Sequence, residues 1–360
     1  MNIGFARLNN QRIAGPLFTQ ARDVVAWLGA LQAQDYTGAL WSIGLRMTDA
    51  TEQTIEQAIA DRTIIRTWPM RGTLHFVAAQ DVRWLLALLA PRVIAGSAGR
   101  YRQLELDDAT ITRSQTIISN ALQGGKQLTR EELLQQLDAA GVATTGQRGY
   151  HLLAHAAQQG LICFGVPSGK QQTFVLLDEW LPPTKALARE EALAELTRRY
   201  FISHGPATLQ DFIGWANLTV AEAKIGLAGT GNTLIHETVG DHTYWLPHHP
   251  PETKKEATAA YLLPGFDEFI LGYKDRSAVL DPTFNNRICP GGNGVFQPTM
   301  VVNGQVVGTW KRLVKKGKVL ITPSPFQPLG ADASAGLAAA AECYGAFLGI
   351  SANLGSVDIG

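Results

Sequence analysis

The feature that most constrains this chain is a supersecondary unit that recurs along it. Thr129 followed three residues later by Glu132 is a capping-box start, where a hydroxyl and a carboxylate satisfy free backbone donors of a first helical turn. Leu133, Leu134 and Leu137 carry that helix to Gly141. A second helix is predicted from Gln147 to Gln159, with Leu152, Leu153 and Ala156 on one face and Gly160 as its stop. Two β-prone runs follow, Leu161-Ile162-Cys163-Phe164 and Thr173-Phe174-Val175-Leu176-Leu177. Helix, turn, helix, hairpin is the outline of a winged helix-turn-helix. A further copy has helices at Glu190–His204, from Thr208 and from Thr219, then a hairpin of Thr233–His236 with Thr243–Leu246. The N-terminal segment fits more loosely. Its helices are Asp23–Leu31, Ala39–Met47 and Thr51–Asp61, and its hairpin is Ile64–Trp68 with Thr73–Val77, tipped by Pro69-Met70-Arg71-Gly72.

The last third breaks the pattern. Tyr261–Pro264 and Phe269–Gly272 are strand-like, and Val295–Trp310 reads as a hairpin turning at Asn303-Gly304. Val319–Ile321 adds a strand and Ala333–Leu348 a closing helix. The expected class is α+β: three tandem winged helix-turn-helix modules (1–103, 104–182, 183–251) and a β-rich C-terminal domain (252–360). Pro182-Pro183 and Pro247 to Pro251 are the linker candidates.

Composition narrows the function classes. The 360 residues are 46% hydrophobic and 17% charged, ample for a core and two to three domains. Cys163, Cys289 and Cys343 are too scattered for a zinc pattern or a disulfide framework, which fits a reduced cytoplasm. No apolar run is long enough to span a membrane, and Met1–Arg7 has no signal core. Formal net charge is zero, which argues weakly against a non-specific nucleic-acid binder. The charge is uneven, however: +4 over residues 1–102, −5 over 103–260 and +4 over 261–330. Two basic ends make one basic face if the chain curls.

The usual chemical motifs are missing. There is no phosphate loop, no dinucleotide fingerprint, no His-Glu-x-x-His helix and no nucleophile elbow. Gly291-Gly292-Asn293-Gly294 reads as a turn, and His248-His249 as a solvated loop. Neither a metal nor a cofactor is expected. What remains is Gln32-Ala33-Gln34-Asp35, closing the amphipathic run that begins at Asp23. On a helix, residues i and i+2 point about 200° apart. If the chain leaves the helix here, the period approaches two and both carboxamides converge. Alone, the tripeptide reads as an ordinary polar helix end.

Longer blocks give it context. Leu31–Asp35, Arg66–His75, Leu263–Glu268, Gly272–Arg276, Gly294–Phe296 and Val307–Arg312 together resemble the AlkZ-type winged-helix DNA glycosylases. The resemblance runs in order over nearly the whole chain. It implies a bacterial enzyme of DNA repair and alkylation resistance, with a C-shaped channel for duplex DNA. It also implies a catalytic Gln-x-Gln, matched by Gln32 and Gln34. Some members carry a His-x-His hairpin at the DNA. Here Phe284–Ile288 offers Asn and Arg287 instead, which favours simple alkylated bases over crosslink unhooking.

Two neutral amides suit such a reaction. An N7- or N3-alkylated purine is cationic and leaves as a neutral base without a general acid. The remaining needs are stabilisation of an oxocarbenium-like sugar and delivery of water to C1′. Carbonyl dipoles can supply both. Asp35 is an alternative base or charge stabiliser, or else a cap. No lysine stands out as a Schiff-base nucleophile, so the expected enzyme is monofunctional. Arg71 is expected at phosphate or in a groove, or simply as an exposed turn residue. His75 either faces the site or is structural, and Trp68 is core or a stacking platform. Lys311 and Arg312, with Lys315-Lys316-x-Lys318, form either a backbone anchor or a solvated strand end. Asp267, Asp275 and Arg276 are expected to pair and hold the β domain in place. A non-catalytic regulator remains open, though regulators are usually symmetric dimers and this chain suits a monomeric clamp. So does a protein–protein scaffold. The favoured expectation is a monomer on alkylated duplex DNA, cytoplasmic and nucleoid-associated.

Overall fold

The computed structural model describes residues 1–249, 260–315 and 317–355. Its first unit runs helix Ala21–Leu28, strand β1 (Leu31–Gln32), helices Tyr36–Gly44 and Glu52–Ala60, then β2 (Ile64–Met70) and β3 (Thr73–Ala78). The helix expected to reach Leu31 stops at Leu28, because Gly29 takes a φ of +82° that L side chains rarely adopt. The chain then leaves the helix and enters β1, and the sheet order is β1-β3-β2.

The second unit repeats this order with helix Asp108–Leu122, β4 (Leu128–Thr129), helices Arg130–Ala139 and Arg148–Gln158, β5 (Ile162–Phe164) and β6 (Thr173–Leu176). Its sheet order is β4-β6-β5. The third has helices Arg189–His204, Leu209–Ala216 and Val220–Ala228, then β7 (Leu234–Val239) and β8 (His242–Pro247). A single bridge from Ala207 to Trp245 stands where the short first strand lies in the other two. The capping box read at Thr129 forms, and boxes at Thr208 and Thr219 start the helices expected from those residues. Pro182-Pro183 lies in an exposed irregular stretch. Much of the other linker candidate, and the boundary at 251/252, falls outside the described residues.

In the C-terminal part, β9 (Ala260–Leu263), β10 (Thr299–Val302), β11 (Gln305–Lys315), β12 (Lys318–Pro325) and β13 (Ser351–Leu354) form one sheet in the order β13-β12-β11-β10-β9. All neighbours are antiparallel except β12 and β13, which the helix Ala331–Leu348 connects in parallel. The Asn303-Gly304 turn forms with φ of +51° and +82°. A Cβ on Gly304 would lie 2.6 Å from the backbone of Gly4, so this turn seats directly on the N-terminal helix Ile3–Asn10.

Three expectations are corrected. Phe269–Gly272 is not a strand: Glu268–Leu271 is helical, because the Asp267 carboxylate accepts the Phe269 N–H at 2.9 Å and starts a turn. Phe284–Ile288 is not a hairpin but a 3-10 turn, Pro282–Phe284, followed by helical Asn285–Ile288. Asp267 does not pair with Arg276. It forms a fully buried bidentate pair with Arg46, both bonds 2.9 Å, reinforced by the Ser42 hydroxyl at 2.6 Å. Arg276 instead donates to the Ile270 carbonyl.

The first unit is central. Ile65, Met70 and Val77 share a core with Tyr200, Phe212 and Trp215 of the third unit. Trp68 and Leu74 pack with Phe164 and Phe174 of the second. Leu28, Trp41 and Phe76 pack with Trp310 and Tyr344 of the C-terminal part. The β2–β3 hairpin therefore contributes to the cores shared with the second unit, the third unit and the C-terminal part. Among the described residues no helix is long and apolar enough to cross a membrane.

Candidate active site

Strand β1 pairs with β3 so that Gln32 lies opposite His75 and Leu31 opposite Phe76. The Ala33 N–H donates to the Leu74 carbonyl at 2.7 Å. Arg66 grips the Ala33 carbonyl through Nε at 3.1 Å and Nη2 at 2.7 Å. Beyond β1 the ladder continues through a side chain, since the Leu74 N–H donates to Gln34 Oε1 at 3.3 Å. Gln32 is buried and Gln34 exposed.

Arg71 is half-buried at the hairpin tip, with a φ of +56°. Its Nη2 donates to Gln32 Oε1 at 3.4 Å and to His75 Nε2 at 3.0 Å. His75 Nδ1 lies 2.9 Å from the Thr73 carbonyl, which only accepts. The proton therefore sits on Nδ1, and Nε2 is free to accept from Arg71. Burial, then the Arg71 charge, pushes the imidazole down to about 3, so His75 is neutral. The donors to both glutamine oxygens are groups that cannot accept, which fixes how each carboxamide is turned. Each oxygen keeps a second lone pair.

His75 is 0% exposed, so it cannot touch a duplex; it orients Arg71 instead. Trp68 is not a surface platform either. It is 3% exposed, 5.0 Å from Phe164 and stacked on Phe174. Asp35 is exposed at the start of helix Tyr36–Gly44 without making a capping bond, and its Oδ1 accepts the Thr37 hydroxyl at 3.2 Å. Gly38 leaves it room, since a Cβ there would lie 2.5 Å from Asp35 Oδ2. Arg312 is exposed but bonded, donating to Thr37 Oγ1 at 2.6 Å and to the Tyr344 hydroxyl. Lys311 is exposed on β11. Arg287 is exposed on the Asn285–Ile288 turn, over the Phe326 ring.

Glu268 was not singled out by sequence reasoning. It is fully buried. Its Oε1 accepts the Gln32 backbone N–H at 3.2 Å, and its Oε2 accepts Trp215 Nε1–H at 2.8 Å with His204 Nε2 at 3.4 Å. Burial alone raises this carboxyl. The hydrogen bond and field of His204, then the charge of Arg71, outweigh it and hold the group at about 2. The signal was faint: an acidic pair, Asp267-Glu268, opening an apolar run that reads as a strand. Among the described residues no group of three or more His, Cys, Asp or Glu could hold a metal ion.

The family model of AlkZ-like DNA glycosylases matches residues 25–347. The chain belongs to the AlkZ-like DNA glycosylase family. This AlkZ-like protein is therefore an enzyme that hydrolyses N-glycosyl bonds in DNA, which places it apart from the regulator and the scaffold. A curated relative, an interstrand DNA cross-link repair glycosylase of Streptomyces sahachiroi, is 26% identical over 339 residues, covering 89% of each chain. The solved Streptomyces sahachiroi DNA glycosylase AlkZ shares the fold with a TM-score of 0.82, at 22% identity and 98% coverage of both chains. The AlkZ-like fold accounts for the mixed α and β architecture and its β-rich C-terminal part.

Proposed function

We propose that this AlkZ-like enzyme excises cationic N7- or N3-alkylpurines from duplex DNA, using a water held by Gln32 and Gln34. The observation that carries this reading is the anchoring of both carboxamide oxygens on one hairpin, by Arg71 and by the Leu74 N–H. Each oxygen keeps a lone pair to accept a hydrogen bond from the water, leaving the water's own lone pair aimed at C1′. The same dipoles stabilise positive charge on the sugar. The C1′–N bond breaks with its electrons going to the base, which leaves neutral. Water's oxygen bonds to C1′ and its proton passes to solvent. Asp35, exposed beside Gln34, is the auxiliary acceptor. No Schiff base forms, so the enzyme is monofunctional.

The three units, in this reading, are winged-helix modules at 1–103, 104–182 and 183–251, curled with the domain at 252–360 into a C-shaped channel. Their common order of helix, strand, helix, helix, strand, strand supports it. Arg71, Lys311, Arg312 and Arg287 face the phosphates of a duplex bound by one protomer, in the cytoplasm at the nucleoid. The hairpin that meets DNA is β11–β12, tipped by Lys315 and Lys318, rather than Phe284–Ile288. The crosslink-repair title of the Streptomyces sahachiroi relative makes crosslinked duplex the second substrate to try.

The test is single-turnover base release from a duplex with one N7-methylguanine. Wild type should generate alkali-labile sites, and Gln34→Ala should slow release about 10²-fold while the duplex still binds. Equal rates in the two proteins would remove Gln34 from the chemistry.

A further inference from the structure

Gln32 is held from behind by a carboxylate to which the reaction above gives no part. Glu268 comes from the C-terminal part, Gln32 from the first unit, and Trp215 and His204 from the third, so one buried group joins three bodies. The Asp267 beside it is itself locked by Arg46. The contact to Gln32 is through the backbone N–H, which leaves the carboxamide free for the reaction.

Charge sharpens the point. Arg71 places a guanidinium on the Gln32 carbonyl oxygen, where a sugar cation is to develop. A cation there opposes the reaction unless an anion offsets it. Among the neighbours, His75 on β3 is neutral, and Tyr200 and Tyr273 have their hydroxyls pushed up by burial and carry no charge. Glu268 is held ionised first by His204, bonded to it at 3.4 Å, and then by Arg71, which its charge stabilises in turn.

We propose that Glu268 is an anionic positioning residue, which fixes the Gln32 backbone and offsets Arg71 so that positive charge can build on the sugar. The inference rests on the glycosylase reading of Gln32 and Gln34. A plain structural acceptor would behave differently from a counter-charge. Glu268→Gln keeps the size and one acceptor oxygen but loses the charge. Glu268→Asp keeps the charge but loses reach.

The experiment measures single-turnover base release, duplex affinity and melting temperature for E268Q and E268D. Expected is a fall of at least 100-fold in the rate for E268Q, with duplex affinity within threefold of wild type. E268D should retain at least tenfold more activity than E268Q. The doubly neutral R71Q/E268Q replaces both charges and serves if E268Q alone does not fold; there, adding E268Q to R71Q should cost less than threefold. E268Q matching or exceeding E268D, or an E268Q penalty equal with and without Arg71, would overturn the counter-charge. A wild type that releases no base from methylated or crosslinked duplex would overturn the glutamine mechanism itself, and the inference with it.

Discussion

His75 couples the candidate site to pH. Its folded value of about 3 lies below the ordinary 6.5, so between those limits the unfolded chain binds the extra proton. Stability then rises with pH across that window, by up to about 1.4 kcal/mol per unit. Glu268, at about 2 against 4.5, adds stability that is present above 4.5 and lost as pH falls towards 2. Melting temperatures should be level above pH 7 and decline below 6.5. His151 and His155, also lowered by burial, act in the same direction. The measurement is therefore the difference between wild type and His75→Gln. H75Q should flatten the decline between pH 6.5 and 4.5 and, below 4.5, leave the part that Glu268 contributes. At this scale the glutamine pair stood out only through the resemblance carried by Leu31–Asp35, since the helix was expected to run on through Gly29 to Leu31. Glu268 did not stand out, because its partner is 236 residues away and a carboxylate opening an apolar run carries no local mark of burial.

Among the elements, β11 is the one whose far half is uncovered, while β12 beside it stays paired with β13 and buries Val319 and Ile321. Along β11, burial alternates as far as Trp310 and then ceases, and Leu313 and Val314 are each 57% exposed. This half of β11 runs past its β10 partner and is paired with β12 alone. Lys315 and Lys318 sit at its end, paired across the turn. Replacing both with alanine should lower the slope of log affinity against log salt by about 0.9 per lost phosphate contact. Release at saturating enzyme should be unchanged. Binding isotherms between 50 and 200 mM salt would check this, and an unaltered slope would take the hairpin off the DNA. The sequence reading looked for a DNA-facing hairpin at Phe284–Ile288, where the chain forms a 3-10 turn and a short helix instead. Helix Val82–Gly96 escaped notice because it is buried on nearly every side and shows little amphipathic period. The capping box at Thr129, being local chemistry, was read correctly.

On the scale of the whole molecule, the Arg46–Asp267 pair binds the first unit to the C-terminal part with no exposed side-chain surface on either partner. Breaking it from one side leaves a charge buried without its partner. Arg46→Met or Asp267→Asn should each cost about 3–5 kcal/mol in denaturant unfolding, and the two together less than their sum. A loss below 1 kcal/mol would place the domain contact elsewhere. The reach of Glu268 to Gln32 has a consequence in time. With 236 residues between them, a ribosome adding 5–20 residues per second finishes the carboxylate on the order of 10–50 s after the glutamine. In the mechanism proposed above, a nascent chain that has made Gln32 and Gln34 still lacks the offset to Arg71, and should release no base until Glu268 has been added and folded into place.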